Sequence, residues 1–70
     1  MPVAVQIREA GRAIASYPGR KLGKALDQWC EDNRATIQDV NTLSLYAGLA
    51  TVTVQQGEVK RVVDAVVIVG

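Results

Sequence analysis

Apolar positions in the first part of the chain recur at spacings of four and three. Val3, Ile7, Ala10, Ile14 and Tyr17 fall on one stripe, the signature of an amphipathic helix over residues 3–17. Arg8, Glu9, Arg12 and Ser16 lie off that stripe, and Gly11 costs a mid-helix position about 1 kcal/mol against alanine. Tyr17-Pro18-Gly19 closes the segment, because proline pushes the preceding residue out of helical geometry. The clearest pattern follows: Leu22, Ala25, Leu26, Trp29 and Cys30 stand at i, i+3, i+4, i+7 and i+8, one face of a helix over about 20–33. Asn33 is suited to leave it in a left-handed conformation. A third helix is expected from Ile37 to Ala47, with Thr36 as N-cap, Asp39 near its positive end and Gly48 beyond its last turn. Its inner face is Ile37, Val40, Leu43 and Ala47. Thr42-Leu43-Ser44-Leu45 also alternates, so a strand there stays open.

The last twenty residues change character. Eight valines, one isoleucine and two threonines stand between Thr51 and Gly70, and β-branched side chains favour pleated surfaces over helices. Thr51 to Val54 alternates, Gln56-Gly57 supplies a turn, and Glu58 to Val63 returns, which reads as a β-hairpin. Ala65-Val66-Val67-Ile68-Val69 is apolar throughout, like a strand covered on both faces. The expected fold is therefore α+β: two or three N-terminal helices packed on a short antiparallel hairpin or sheet at the C-terminus. One small domain would occupy 1–70, helical over about 3–47 and β over about 49–69.

Composition adds a constraint on stability. A chain of 70 residues, 49% hydrophobic and 21% charged with a formal net charge of +1, buries only about 60% of its unfolded surface. Disulfides, a metal or a partner usually make up the shortfall. One cysteine excludes an internal disulfide, and the absence of histidine argues against a zinc site. Association with itself or another chain is the remaining remedy. No run of 18 apolar residues is present, and Arg8-Glu9 follows the start too closely for a signal peptide. The lone Cys30 suits a reducing compartment, the cytoplasm, or a virion if the chain is phage-encoded.

Charge is segregated. Residues 8–24 carry Arg8, Arg12, Arg20, Lys21 and Lys24 against Glu9, net +4, while 25–40 carry Asp27, Glu31, Asp32 and Asp39 against Arg34, net −3. Within the second helix this order opposes the helix macrodipole. A solvated face accounts for it; complementary ends meeting on another chain would also account for it.

Little here suits catalysis. Without histidine the commonest general base is missing, and Cys30 falls beside Trp29 on an apolar face, where a thiol is inert packing. Asp27, Glu31 and Asp32 lie on a polar helix face. The expectation is a non-enzyme without cofactor, metal or small-molecule substrate. Gly19-Arg20-Lys21-Leu22-Gly23-Lys24 lacks the spacing and the Ser or Thr of a phosphate-binding loop. What remains is a helix N-terminus with three cations, Arg20, Lys21 and Lys24, a candidate anion or phosphate contact.

The segment Leu43 to Val54 places Ser44, Gly48, Leu49 and Val54 where a small residue, the turn glycine and two apolar residues are found in helix-turn-helix motifs. In this it resembles the DNA-binding motif of bacterial and phage repressors. The resemblance covers about a dozen residues and implies a small transcriptional regulator, with Arg20, Lys21, Lys24, Lys60 and Arg61 meeting phosphates. Two departures stand against it: Ala50 to Gln56 carries no Arg or Lys, and Thr51-Val52-Thr53 is β-branched.

The reading favoured by these residues is a structural, assembly or inhibitory subunit that works through protein–protein contacts in a homo-oligomer or larger assembly. A bacteriophage virion or accessory component is one such setting; a membrane partner is not expected. Val66, Val67, Ile68 and Val69 are the candidate interface, by strand addition, since the hairpin leaves them no local partner. Trp29 is either core or an interface anchor. The alternative is the repressor-like DNA-binding protein.

Overall fold

The structure is a computed structural model, and it describes residues 2–70. The described residues form five strands and one helix: β1 (Val3–Glu9), β2 (Arg12–Pro18), α1 (Leu22–Asn33), β3 (Ala35–Ser44), β4 (Leu49–Gln56) and β5 (Val59–Val69). The strands make one antiparallel sheet in the order β2-β1-β5-β4-β3. This corrects the expected arrangement of two or three N-terminal helices on a C-terminal hairpin: the chain is mostly β, with a single helix in its middle.

Residues 3–17 are a hairpin rather than a helix. Val3, Val5 and Ile7 alternate, and Val5 and Ile7 are almost fully buried, so period two governs the burial. The turn between β1 and β2 is Ala10-Gly11, with φ of 52° and 79°, the double positive φ of a type I′ hairpin turn. A separation of four, as between Val3 and Ile7, satisfies both helix and strand periods, which is why the segment reads as helical. Tyr17 ends up paired with Val5 on the covered face, whereas Ile14 turns to the other face and is exposed.

The expected third helix is β3. Its hairpin partner β4 pairs Ile37 with Val54, Val40 with Val52 and Leu43 with Ala50, with irregularities that leave Gln38 and Asn41 as extra residues. Two β-bulges thus place residues three apart on one face of a strand. That spacing of three imitates a helix in the sequence. The helix-turn-helix resemblance over 43–54 falls with it, since those residues are the β3–β4 hairpin and its turn.

The helix over 22–33 and the hairpin around Gly57 form as their spacing predicts. Leu22, Ala25, Leu26, Trp29 and Cys30 are buried against Val5, Ile7, Ala50, Val52, Val54, Val63 and Ala65 from the central strands. It is Arg34, not Asn33, that takes the left-handed conformation, with φ 53°; the Asn33 side chain instead donates to the Trp29 carbonyl at 2.8 Å. Trp29 is 2% exposed and belongs to the core, so it is not an interface anchor.

The strand-addition reading of residues 66–69 is also corrected. β5 is the central strand of the sheet. Val66, Val67, Ile68 and Val69 pair with Gln6, Val5, Ala4 and Val3 of β1. On the other side Val66 pairs with Leu49 and the Val67 amide donates to the Gly48 carbonyl at 2.8 Å. The partner that the apolar run requires is the first strand of the same chain. Among the described residues no helix is long and apolar enough to cross a membrane.

Candidate functional site

The helix and the sheet differ in length. Twelve helical residues span about 18 Å, whereas the eleven residues of β5 extend about 36 Å, in keeping with a molecule of 39 × 21 × 20 Å. The helix therefore leaves part of its own face of the sheet uncovered, at the end holding the β3–β4 turn. Val40 (52% exposed), Leu43 (60%), Leu45 (79%) and a fully exposed Tyr46 stand there, with Val69 beside them. Val40 and Leu43 point to the helix side, because their cross-strand partners Val52 and Ala50 are core residues.

The turn that presents Leu45 and Tyr46 is held in place. The Gly48 amide donates to the Leu45 carbonyl at 3.3 Å and the Ala47 amide to Ser44 Oγ at 3.2 Å. Gly48 adopts φ +65°, and a Cβ at this position would lie 3.1 Å from Val67 Cβ. Glycine is thus required both for conformation and for the close approach to β5. The result is an ordered apolar tip whose side chains have no cover of their own.

At the opposite end a polar network lies over the indole, with Val59 exposed beyond it. Arg61 lies 5.2 Å from the centre of the Trp29 ring. Its Nε and Nη2 donate to the two carboxylate oxygens of Glu9 at 2.8 and 2.7 Å, and its Nη1 donates to Gln56 Oε1 at 2.8 Å. Gln56 Nε2 in turn donates to the Asn33 carbonyl at 2.8 Å. This network ties β1, β4, β5 and the helix C-terminus over the indole. The bidentate Arg61 hydrogen bond holds the Glu9 carboxyl below its ordinary range, against the opposing effect of burial. Nothing in the spacing of Glu9 and Arg61, 52 residues apart, announces the pair; only the β1–β5 pairing brings them together.

Arg20, Lys21 and Lys24 do gather at the helix N-terminus, beside a cleft of about 430 Å³ that they line with Tyr17, Pro18 and Gln28. Lys21 occupies the N-cap and makes no side-chain capping bond. Lys60 and Arg61 lie at the other end of the sheet, and Arg61 is engaged by Glu9. The five cations assigned to a phosphate backbone are therefore split between the two ends of the molecule. The basic run 8–24 is likewise dispersed: Arg8 sits near the end of β1, opposite Asp64 and donating to Gln6 Oε1 at 2.6 Å, and Arg12 begins an edge strand. Asp27, Glu31 and Asp32 line the solvent side of the helix, where Asp32 accepts from Tyr17 Oη at 3.1 Å and from Gln28 at 2.9 Å.

Cys30 is buried under the helix. Burial, and to a lesser degree the nearby Asp27 charge, pushes its thiol pKa up, which keeps it neutral and weakly nucleophilic. The apolar corner was not singled out by the sequence, because Ile37, Val40, Leu43 and Ala47 read there as the inner face of a helix. No protein-family model matches the chain, and neither curated proteins nor solved structures give a match.

Proposed function

We propose that this protein is a non-enzymatic structural, assembly or inhibitory subunit that acts through protein–protein contacts made by its uncovered corner. The observation that supports the reading is the Leu45-Tyr46 tip, two large apolar side chains displayed on an ordered turn and continuous with Val40, Leu43 and Val69. Large contiguous apolar patches on a protein surface mark interaction sites, and tyrosine is among the residues that anchor interfaces. A single unpaired cysteine fits a cytoplasmic setting, or a virion assembled there.

The test compares native mass in an extract of the source with that of the purified chain. Leu45→Ser with Tyr46→Ser should release the chain from its complex while leaving circular dichroism and the unfolding midpoint unchanged. A chain of single-copy mass in the source extract, or a doubly substituted chain that stays in the complex, would overturn the proposal.

A further inference from the structure

The sheet has two edges, and they are not equivalent. β2 is seven residues long, opens with Arg12 and ends at Pro18, charge and proline being ordinary means of blunting an edge. β3 is ten residues long, contains no proline and carries a single charge, Asp39; the only blunting devices along it are the two bulges at Gln38 and Asn41. Next to this edge, on the helix side, stand Val40 and Leu43, uncovered by the helix, with the half-buried Ile37 in line. The bulges at Gln38 and Asn41 set these three at equal intervals.

Equal intervals make the stripe self-complementary. In an antiparallel pairing of β3 with a second β3, a two-fold axis through Val40 sets Val40 against Val40 and Ile37 against Leu43 in both directions. All three contacts fall on one face, since directly opposed residues in a sheet share a face. The same register aligns Thr36 with Ser44, so nearly the whole of β3 overlaps. It sets Asp39 against Asn41, so no like charges meet directly. The cationic helix N-termini lie toward opposite ends, which spares them the mutual repulsion that a tip-to-tip arrangement would impose.

The geometry points to a second copy of this chain as the occupant of the β3 edge, in an isologous dimer whose axis passes Val40. This deepens the subunit reading above and rests on it: the dimer would carry a Leu45-Tyr46 tip at each far end. Two-fold isologous pairing is the commonest oligomeric symmetry. The bulges interrupt the hydrogen-bond ladder at Gln38 and Asn41, so the side-chain stripe carries much of the contact.

The register makes the proposal sharply testable. In a chain with Cys30→Ala, Val40→Cys should form an intermolecular disulfide on mild oxidation, at least about tenfold more than Gln38→Cys, because only the axial position brings equivalent Cβ atoms within bonding reach. The native mass of the unmodified chain should approach twice 7.5 kDa, and Val40→Lys should return it to one copy with its circular dichroism intact. A single-copy mass at roughly 1 mM chain, where a dimer with a Kd of that size is half formed, overturns the proposal. So does a dimer in which Val40→Cys cross-links no better than Gln38→Cys. If either result accompanies release from the source complex by the Leu45 and Tyr46 substitutions, the subunit reading stands and the dimer alone falls. If the Val40 cross-link forms while those substitutions release nothing, the dimer stands and the tip reading falls.

Discussion

Ala10 and Arg34 hold φ of 52° and 53°, a left-handed conformation that costs an L side chain about 1–2 kcal/mol. Ala10 sits where a type I′ turn favours Asn or Gly. Replacing Ala10 by Gly should therefore raise stability by about 0.5–1 kcal/mol, the relief of strain exceeding the entropy that glycine adds to the unfolded chain. Gly48 is the mirror case. Gly48→Ala adds a Cβ at φ +65° and 3.1 Å from Val67 Cβ, and should cost at least about 1–2 kcal/mol. Both are read as shifts of the urea midpoint at unchanged slope; a stabilised Gly48→Ala chain would show that the turn does not need its present backbone. At this scale the sequence was partly legible. The buried set of the helix follows from its spacing, and the cysteine's inert setting follows from its neighbour Trp29. Which residue turns left-handed after the helix did not: Asn33 has the propensity, but its amide is occupied by the Trp29 carbonyl.

Elements were legible where only one period fits the apolar residues. Leu22 to Cys30 spans two turns at helical spacing with no strand alternative, and Thr51 to Val63 alternates around a glycine turn. Residues 3–17 and 36–47 misled for a physical reason. In the first, separations of four are common to both periods, and Val5, off the helical stripe yet 1% exposed, is the residue that decides. In the second, two bulges convert period two into period three. Links between elements are a separate matter, because no local pattern encodes them. Glu9 and Arg61 join β1 to β5 and shield Trp29, and their pairing gives the fold a pH dependence with a definite sign. The Glu9 carboxyl is held below its unfolded value of about 4.3, so the pair's contribution is fully present above that pH and is lost as pH falls through the lower, folded value. Stability should thus decline below about pH 4.3, and Glu9→Gln should flatten that part of the profile while lowering the plateau near neutrality. An unaltered acid limb in the Glu9→Gln chain would mean that other carboxylates set it.

At the scale of the whole molecule, the apolar run at 65–69 was read as a strand covered on both faces with no partner in its own chain, and both parts are corrected. The single helix covers one face, leaving Ile68 36% and Val69 58% exposed, and the chain itself supplies β1 on one flank and β4 on the other. Misreading β1 as a helix removed the neighbour and made the run look like an edge. The consequence is testable by truncation. Deleting Val66 to Gly70 removes four of the six β1–β5 pairs, leaving Ile7 with Ala65 and Arg8 with Asp64. It also removes the Gly48 carbonyl's partner and the bond from the Gly70 amide to the Pro2 carbonyl at 3.0 Å. Val5, now nearly inaccessible, would lose Val67 from its flank. Each buried aliphatic side chain is worth about 1.5–3 kcal/mol, and a domain of this size holds only about 4–10 kcal/mol in total. The truncated chain should therefore lose its cooperative transition, and the near-ultraviolet signal of Trp29 should go with it. Helical circular dichroism should fall as well, since an amphipathic helix of twelve residues needs its sheet to persist. A truncated chain that melts cooperatively within a few degrees of the full-length protein would show that the sheet closes without the end of its central strand.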